Sequence, residues 1–141
     1  MTYDEKITWL RRYRAERRKE KLLEARVQSA RERALSLSQS LRPISVQTNN
    51  IANVVEEAAV KADELQQALA RQVMETFAIQ YEIEDALSLL DEREAAVLQM
   101  RYIELNDYNT IADALGFVTR RVYQLHRAGV EHLHIEPDAS A

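Results

Sequence analysis

Threonine, arginine, tyrosine and glutamine side chains cluster in the segment TRRVYQLHR, residues 119–127. Side chains of these types donate hydrogen bonds to phosphates and to the edges of DNA bases. Val122 and Leu125 are three residues apart, which predicts a helix with an apolar stripe that leaves the polar side chains on its other faces. The candidate DNA-binding residues of this helix are Thr119, Arg120, Arg121, Tyr123, Gln124 and Arg127.

A short helix is predicted just before this segment. Ile111 and Leu115 are four residues apart and would form its apolar stripe, and Gly116 suits a tight turn that needs a positive φ. Together the two helices predict a helix-turn-helix, although an ordinary αα-hairpin with a glycine turn would show the same pattern. Two further candidates for contact with backbone phosphate lie at the start of the first helix, Tyr108 and Thr110.

Catalytic and metal-binding patterns find little support in the sequence. Carboxylate pairs such as Glu56–Glu57 are adjacent, so they point to different sides of a helix and cannot flank one substrate. His132 and His134 are two residues apart, which is poor helical geometry for one metal ion, and the chain has no cysteine. We therefore expect no enzyme activity, no cofactor and no metal site.

The rest of the chain predicts long helices, because 141 residues contain only 2 glycines and 2 prolines. Apolar residues recur at three- and four-residue steps over about 3–41 and again over about 51–90. A polar break containing Pro43 separates these helices, so residues 1–90 should form a long antiparallel hairpin or coiled coil within an all-α fold. The candidates for the N-cap of the second helix are Thr48, Asn49 and Asn50.

Capping patterns mark the start of a second domain. Asp91 and Glu94 form a D-x-x-E pattern at the start of a new helix, and Asp107 is expected to cap the first helix of the helix-turn-helix. We therefore expect a helix-turn-helix domain over residues 91–135. Residues 136–141 should form a flexible tail.

Charge is distributed unevenly along the chain, whose net charge is −4. Residues 1–42 carry a net charge of +6, residues 43–90 carry −6, and residues 91–141 carry −4. The basic helix could contact nucleic acid, or it could pair with the acidic helix inside the hairpin.

Two further expectations concern association and location. A lone hairpin buries apolar surface on one side only, so we expect a homodimer or a higher homo-oligomer. The N-terminus lacks the basic flank and apolar run of a signal peptide, and no window approaches 18 apolar residues. These features predict a cytoplasmic protein without a membrane partner.

The segment from residue 87 to residue 133 resembles region 4 of the sigma-70-type transcription initiation factors. The resemblance rests on the acidic start Asp91–Glu94, on the sequence Ile111–Gly116, and on Val122 and Leu125. The whole chain is similar to small regulators encoded by phages and prophages of Gram-positive bacteria, in which a helical N-terminal half precedes such a domain. Their second helix carries RRVYxLH, which Arg120–His126 matches.

This resemblance implies a transcriptional regulator that places its second helix in the major groove of double-stranded DNA. In sigma factors the domain also contacts core RNA polymerase, so RNA polymerase is a further candidate partner. Two alternatives stay open at this point. One is an oligomeric assembly protein such as the small subunit of a phage DNA-packaging motor, and the other is an adaptor that binds RNA polymerase without DNA.

The sequence departs from the family pattern at several positions. Val118 stands where a serine or threonine usually caps the recognition helix, and Thr119 could cap in its place. Leu105 and Asn106 replace a glycine and an apolar residue. Gly129 lies inside the final helix, at a cost of about 1 kcal/mol relative to alanine.

Overall fold

The computed structural model describes residues 1–41 and 48–136 of the chain. Helices occupy nearly all of these two ranges, which contain no β-strand. They are α1 (Tyr3–Leu10), α2 (Arg12–Leu41), α3 (Thr48–Leu87), α4 (Glu92–Tyr102), α5 (Tyr108–Leu115) and α6 (Thr119–His132). The predicted fold class is confirmed: an all-α chain with a long helical hairpin followed by a small helix-turn-helix domain.

The chain divides into two compact units that are described separately. The hairpin unit comprises Arg17–Glu75, and the terminal unit combines Met1–Glu16 with Thr76–Ala141. The terminal unit thus takes in the first helix as well as the helix-turn-helix, whereas the sequence pattern had grouped α1 with the hairpin.

In the hairpin unit, α2 and α3 pack along a narrow seam. Val27 of α2 is buried, and the partly buried residues around it on both helices recur at three- and four-residue steps. Arg31 Nη2 donates to Gln66 Oε1 at 2.6 Å, so these two residues lie at the same height in the antiparallel pair. Glu20 is also buried, and its carboxylate pairs with Arg17 on the same helix.

The first core of the terminal unit joins both ends of the chain. Leu10 from α1 is fully buried there together with Ile83 from α3 and Val130 from α6. The other buried members of this cluster are Leu87, Leu98, Tyr102, Ile103 and Leu133. Lys6 Nζ also donates to the carbonyl oxygen of Glu131 at 3.0 Å, which ties α1 to the end of α6.

The second core belongs to the helix-turn-helix. Val97 of α4, Ile111 and Ala112 of α5, and Val122 and Leu125 of α6 form one buried cluster. The apolar stripes predicted from the sequence therefore face each other: one contains Ile111 on α5, and the other contains Val122 and Leu125 on α6. The small side chain of Ala112 lies where α5 and α6 pack closely.

Caps and turns fix the ends of the helices. The Asp91 carboxylate accepts from the backbone N–H of Arg93 at 3.2 Å, and the Asp107 carboxylate accepts from the N–H of Thr110 at 2.8 Å. Both residues therefore cap the helices as predicted. Glu94 does not complete a capping box, because its carboxylate lies 3.0 Å from His132 Nδ1.

Two backbone positions have positive φ among the described residues of the terminal unit. Gly116 has φ 71° and ψ 29°, the left-handed conformation that the turn between α5 and α6 was predicted to need. Leu105 has φ 59° and stands where the resemblance places a glycine. A side chain in this conformation costs roughly 1–2 kcal/mol, so this turn is strained relative to one with glycine.

Gly129 is buried where α6 crosses α4. A Cβ atom placed on this residue would lie 3.1 Å from Leu98 Cδ1 and 3.3 Å from Glu94 Cβ. The close approach of the two helices therefore explains a glycine that helix propensity alone disfavours.

Several predicted helix boundaries differ from the observed ones. The first long helix is interrupted at Arg11, where ψ is −7° and where the Trp9 carbonyl oxygen accepts a hydrogen bond from Arg12 Nε. The second ends at Leu87 rather than at residue 90, because the Ser88 hydroxyl bonds the Asp85 carbonyl oxygen and Leu90 turns towards the first core.

The proposed caps of the second helix were wrong. Thr48, Asn49 and Asn50 already lie inside α3. The first turn of a helix tolerates such residues, because its N–H groups have no intrahelical partner in any case. The break around Pro43 and most of the predicted tail, residues 137–141, lie outside the described residues. In the part of the chain that is described, no helix is both long enough and apolar enough to cross a membrane.

Candidate nucleic-acid interface

The outer face of α6 is opposite the face that packs into the two cores. The buried residues Val122, Leu125 and Gly129 define the inner side. Helical periodicity places Gln124 near the centre of the outer side, and Arg120 and Arg127 flank it. All three are exposed, and so is Arg121 at the border of the face. The structure thus brings the arginines and the glutamine of the predicted set together on one surface.

The side chains of Arg120, Arg121 and Gln124 have no hydrogen bond or ion pair within the two described ranges. Their long, exposed side chains are therefore available to a ligand. Arg127 differs, because its Nε lies 3.2 Å from Glu131 Oε1 in an exposed i,i+4 pair. Exposed pairs of this kind contribute at most about 1 kcal/mol, so a phosphate could compete for Arg127.

The N-terminus of α6 has no side-chain cap. Val118 occupies the N-cap position with φ −73° and ψ 152°, makes no capping hydrogen bond, and is 71% exposed. The alternative that Thr119 caps the helix is wrong, because Thr119 is the first residue inside it. The Thr119 hydroxyl instead bonds Asn109 Oδ1 at 3.3 Å and so joins α6 to α5.

Aromatic side chains support α6 on its flank. The rings of Tyr108 and Tyr123 lie 4.4 Å apart, and Tyr108 meets the edge of the His126 ring at 5.6 Å. Tyr123 is nevertheless 52% exposed, so it packs on Tyr108 of α5 and also leaves about half of its surface open to solvent. Arg101 stacks on Tyr108, with its Cζ atom 4.5 Å from the ring centroid.

A buried hydrogen bond lies behind these rings. Tyr102 Oη and His126 Nε2 share a bond of 2.7 Å. Burial lowers the pKa of His126 to about 4, and the nearby positive charges of Arg101 and Arg11 act in the same direction. Burial likewise raises the pKa of Tyr102 above its ordinary value. Both groups are therefore neutral near pH 7. Because His126 is only 6% exposed, it packs in the interior and does not reach the outer face of α6.

The N-terminus of α5 is less open to phosphate than predicted. The Asp107 carboxylate already accepts from the Thr110 backbone N–H, and this hydrogen bond lowers the pKa of Asp107. The negative charge at this helix end opposes a phosphate there. Contact by Tyr108 or Thr110 would therefore have to come from their side chains, of which Thr110 is exposed and Tyr108 is partly buried.

Two residues beside this surface were not identified from the sequence. Arg101 holds Tyr108 in place through its ring contact, and its Nη1 donates to the carbonyl oxygen of Asn106 at 3.1 Å. Asn109 is exposed and bonds Thr119. Arg101 carries no local signal of its role, because its contact with Tyr108 depends on how α4 packs against α5. Asn109, at the second position of α5, could have been included with its neighbours Tyr108 and Thr110.

Comparison with protein families identifies the segment that carries this surface. Residues 86–134 match the family described as Sigma-70, region 4. The matched segment includes all of α4, α5 and α6. The comparisons with curated proteins and with solved structures give no match. The helix-turn-helix of this chain is therefore sigma-70 region-4-like, of the kind that binds DNA.

Proposed function

We propose that this protein is a DNA-binding transcriptional regulator and not an enzyme, and that α6 reads the major groove of double-stranded DNA. The observation that carries the proposal is the outer face of α6, where Arg120, Arg121 and Gln124 are exposed and without a protein partner in the described ranges. Arginine can bind guanine and glutamine can bind adenine through paired hydrogen bonds.

The position of these side chains along α6 fits such a role. Recognition helices contact base edges mainly with their N-terminal residues. Arg120 and Arg121 lie in the first turn of α6, and Gln124 lies in the second. Arg127 follows towards the C-terminus, where Glu131 offsets its charge. Base contact is therefore concentrated in the first two turns, and Arg127 is better suited to a phosphate.

The charge of the domain limits non-specific binding. Residues 91–141 contain 5 arginines and no lysine, against 9 acidic residues. Each phosphate neutralised adds about 0.9 to the slope of log affinity against log salt. We propose that few phosphates are contacted, so the salt dependence should be shallow and the affinity should depend on base contacts.

The finer parts of the proposal have different support. The resemblance of the whole chain supports a phage or prophage origin. A homo-oligomeric state is instead supported by the apolar surface that a lone hairpin leaves open, and action in the bacterial cytoplasm follows from the proposed role on DNA. A contact with RNA polymerase is supported only by the general behaviour of sigma region 4. Pull-down of polymerase without protection of DNA would favour the adaptor role over the regulator role.

Selection of bound sites from random or genomic DNA by the purified protein tests the proposal. With a selected site in hand, the double substitution Arg120→Ala, Arg121→Ala should weaken specific binding by roughly 1–3 kcal/mol for each base that the arginines no longer bind. Helicity measured by circular dichroism should not change, because both side chains are exposed and unpaired within the described ranges.

The matched control is the double substitution Lys21→Ala, Arg31→Ala, which removes the same charge from exposed positions of α2. It should lower affinity far less. Equal losses in the two variants would mean that net charge governs binding and not groove contact. Failure to enrich any site would defeat the proposal.

A further inference from the structure

The hairpin unit has a long groove between α2 and α3. The groove encloses about 470 Å³ and has a largely apolar floor that includes Leu22, Ala30 and Leu65. Leu22, at the edge of the groove, is 68% exposed and extends the apolar surface of the floor. The groove is therefore an apolar surface that lacks a covering element within the described part of the hairpin.

Two arginines line the α2 side of this groove. Arg26 and Arg33 are seven residues apart, which places them about 10 Å apart along the same face of the helix. Both are exposed, and neither forms an ion pair within residues 1–41 or 48–136. Lys61 adds a third cation on the α3 side, although it lies four residues after Glu57 and can pair within its own helix.

A ridge of α3 has the complementary character. Glu57 and Glu64 are also seven residues apart, and Val60 between them is 51% exposed. Neither carboxylate forms an ion pair within the part of the chain that is described. The ridge therefore presents two carboxylates and one apolar side chain, with Lys61 on the side of the groove, and the two carboxylates have the same spacing as the two arginines.

We propose that a second copy of this chain binds in the groove through the Glu57–Glu64 ridge, and that the contact is reciprocal about a two-fold axis. This deepens the homo-oligomeric part of the proposed function and does not depend on DNA binding. A two-fold contact uses the same surface on both copies, so each copy must supply both the groove and the ridge. The hairpin unit contains both.

The register of the hairpin sets each glutamate of the ridge at the height of an arginine of the groove. Because Arg31 contacts Gln66, Arg33 lies at the height of residue 64, and Arg26 lies seven residues further along, at the height of residue 71. Placing the two-fold axis across α3 at residue 64 brings Glu64 of the second copy to the height of Arg33. It also brings the Glu64 carboxylates of the two copies to the same height, where Arg33 of each copy offsets their repulsion. The same operation brings Glu57 of the second copy to the height of Arg26.

Arg71 strengthens this match. It is exposed and follows Glu57 and Glu64 at the same seven-residue interval, so it lies on the same face of α3. In the antiparallel pair, Glu57 of each copy faces Arg71 of the other. The contact also covers Leu22 and Val60, whose burial supplies the apolar part of the association.

Phosphates of a nucleic acid are a competing ligand for Arg26 and Arg33. Phosphate binding requires cations but makes no use of an apolar floor or of a leucine exposed at its edge. It also leaves the acidic ridge beside the groove as a repulsive element. A second copy of the chain, in contrast, pairs with the cations, covers the apolar floor and uses the acidic ridge.

Light scattering after size-exclusion chromatography tests the proposal with the full chain at micromolar concentration. The wild-type protein should have a mass of about 33 kDa, twice that of the 16.3 kDa chain. The variant Arg26→Glu, Arg33→Glu and the variant Glu57→Lys, Glu64→Lys should each be monomers of unchanged helicity, because like charges then face each other. An equimolar mixture of the two variants should regain the dimer mass.

The control variant Arg14→Glu, Lys21→Glu makes the same charge change at exposed, seven-residue-spaced positions of α2 outside the groove and should stay dimeric. A monomeric wild-type protein, a ring of eight or more subunits, or a mixture that stays monomeric would overturn the proposal. Dimerisation that survives both charge reversals would do the same. Site selection with the monomeric variants tests DNA binding separately, so the failure of one proposal does not conceal the other.

Discussion

His126 is a buried base that the fold keeps neutral. Its imidazole is 6% exposed, bonds the Tyr102 hydroxyl, and has a pKa lowered to about 4. The residue belongs to the RRVYQLH sequence that supports the resemblance to phage regulators, and so it could be mistaken for a DNA contact. Its position shows instead that it supports the aromatic side chains behind α6.

Acid should destabilise the terminal unit through His126. The folded pKa of about 4 lies below the unfolded value of about 6.5, so between these values the unfolded chain binds more protons. The free energy of unfolding should therefore be intact above pH 6.5 and should fall by roughly 3 kcal/mol as the pH approaches 4. Urea unfolding followed at several pH values by fluorescence of Trp9, the only tryptophan, measures this loss.

Two histidine variants separate this effect from general acid denaturation. His126→Gln should flatten the dependence between pH 6.5 and pH 4, because the titrating group is gone. His134→Gln, at an exposed position, should keep the full dependence. If both variants retain the same slope as the wild-type protein, His126 is not its source.

At the scale of single helices, local chemistry was readable from the sequence. Asp91, Asp107 and Gly116 take the cap and turn roles predicted for them, because each role depends on a residue and its nearest neighbours. The hydrogen bond between Glu94 and His132 was not readable. It joins residues 38 apart and replaces the local capping interaction of Glu94 that the sequence predicted.

The α6 helix begins without a cap, and serine at position 118 should supply one. Val118 already has the extended backbone of an N-cap residue and is 71% exposed, so Val118→Ser gains a capping acceptor and loses little packing. The expected gain is about 1 kcal/mol in the free energy of unfolding. Chemical unfolding of Val118→Ser beside Val118→Ala measures it, since alanine removes the same side chain without capping. Equal stability of the two variants would contradict the prediction.

At the scale of the whole chain, the sequence predicted the fold class better than it predicted how the helices divide between the two units. Helical periodicity and the scarcity of glycine and proline were sufficient to predict an all-α chain with a hairpin and a helix-turn-helix. The packing of α1 beside α6 was not predictable, because Leu10 and Val130 meet across most of the chain length and no local pattern links them. The same limit applies to the candidate interface. Its exposed α6 residues follow from periodicity, whereas the support of Tyr108 by Arg101 depends on tertiary packing.

The packing of α1 makes the helix-turn-helix depend on the N-terminus of the chain. Leu10 is fully buried in the first core, in the same cluster as Leu98 of α4 and Val130 of α6. The substitution Leu10→Ala should therefore lower the free energy of unfolding of the terminal unit by about 2–5 kcal/mol, through reduced burial and the cavity left behind. Trp9 packs against the same cluster, so its fluorescence during urea unfolding reports on this unit directly.

Leu89→Ala is the matched control, because Leu89 is 80% exposed and the same truncation there should cost under about 0.5 kcal/mol. If α1 were only an appendage, the two variants would unfold at the same urea concentration. A lower midpoint for Leu10→Ala alone would instead show that the first helix stabilises the unit that presents α6.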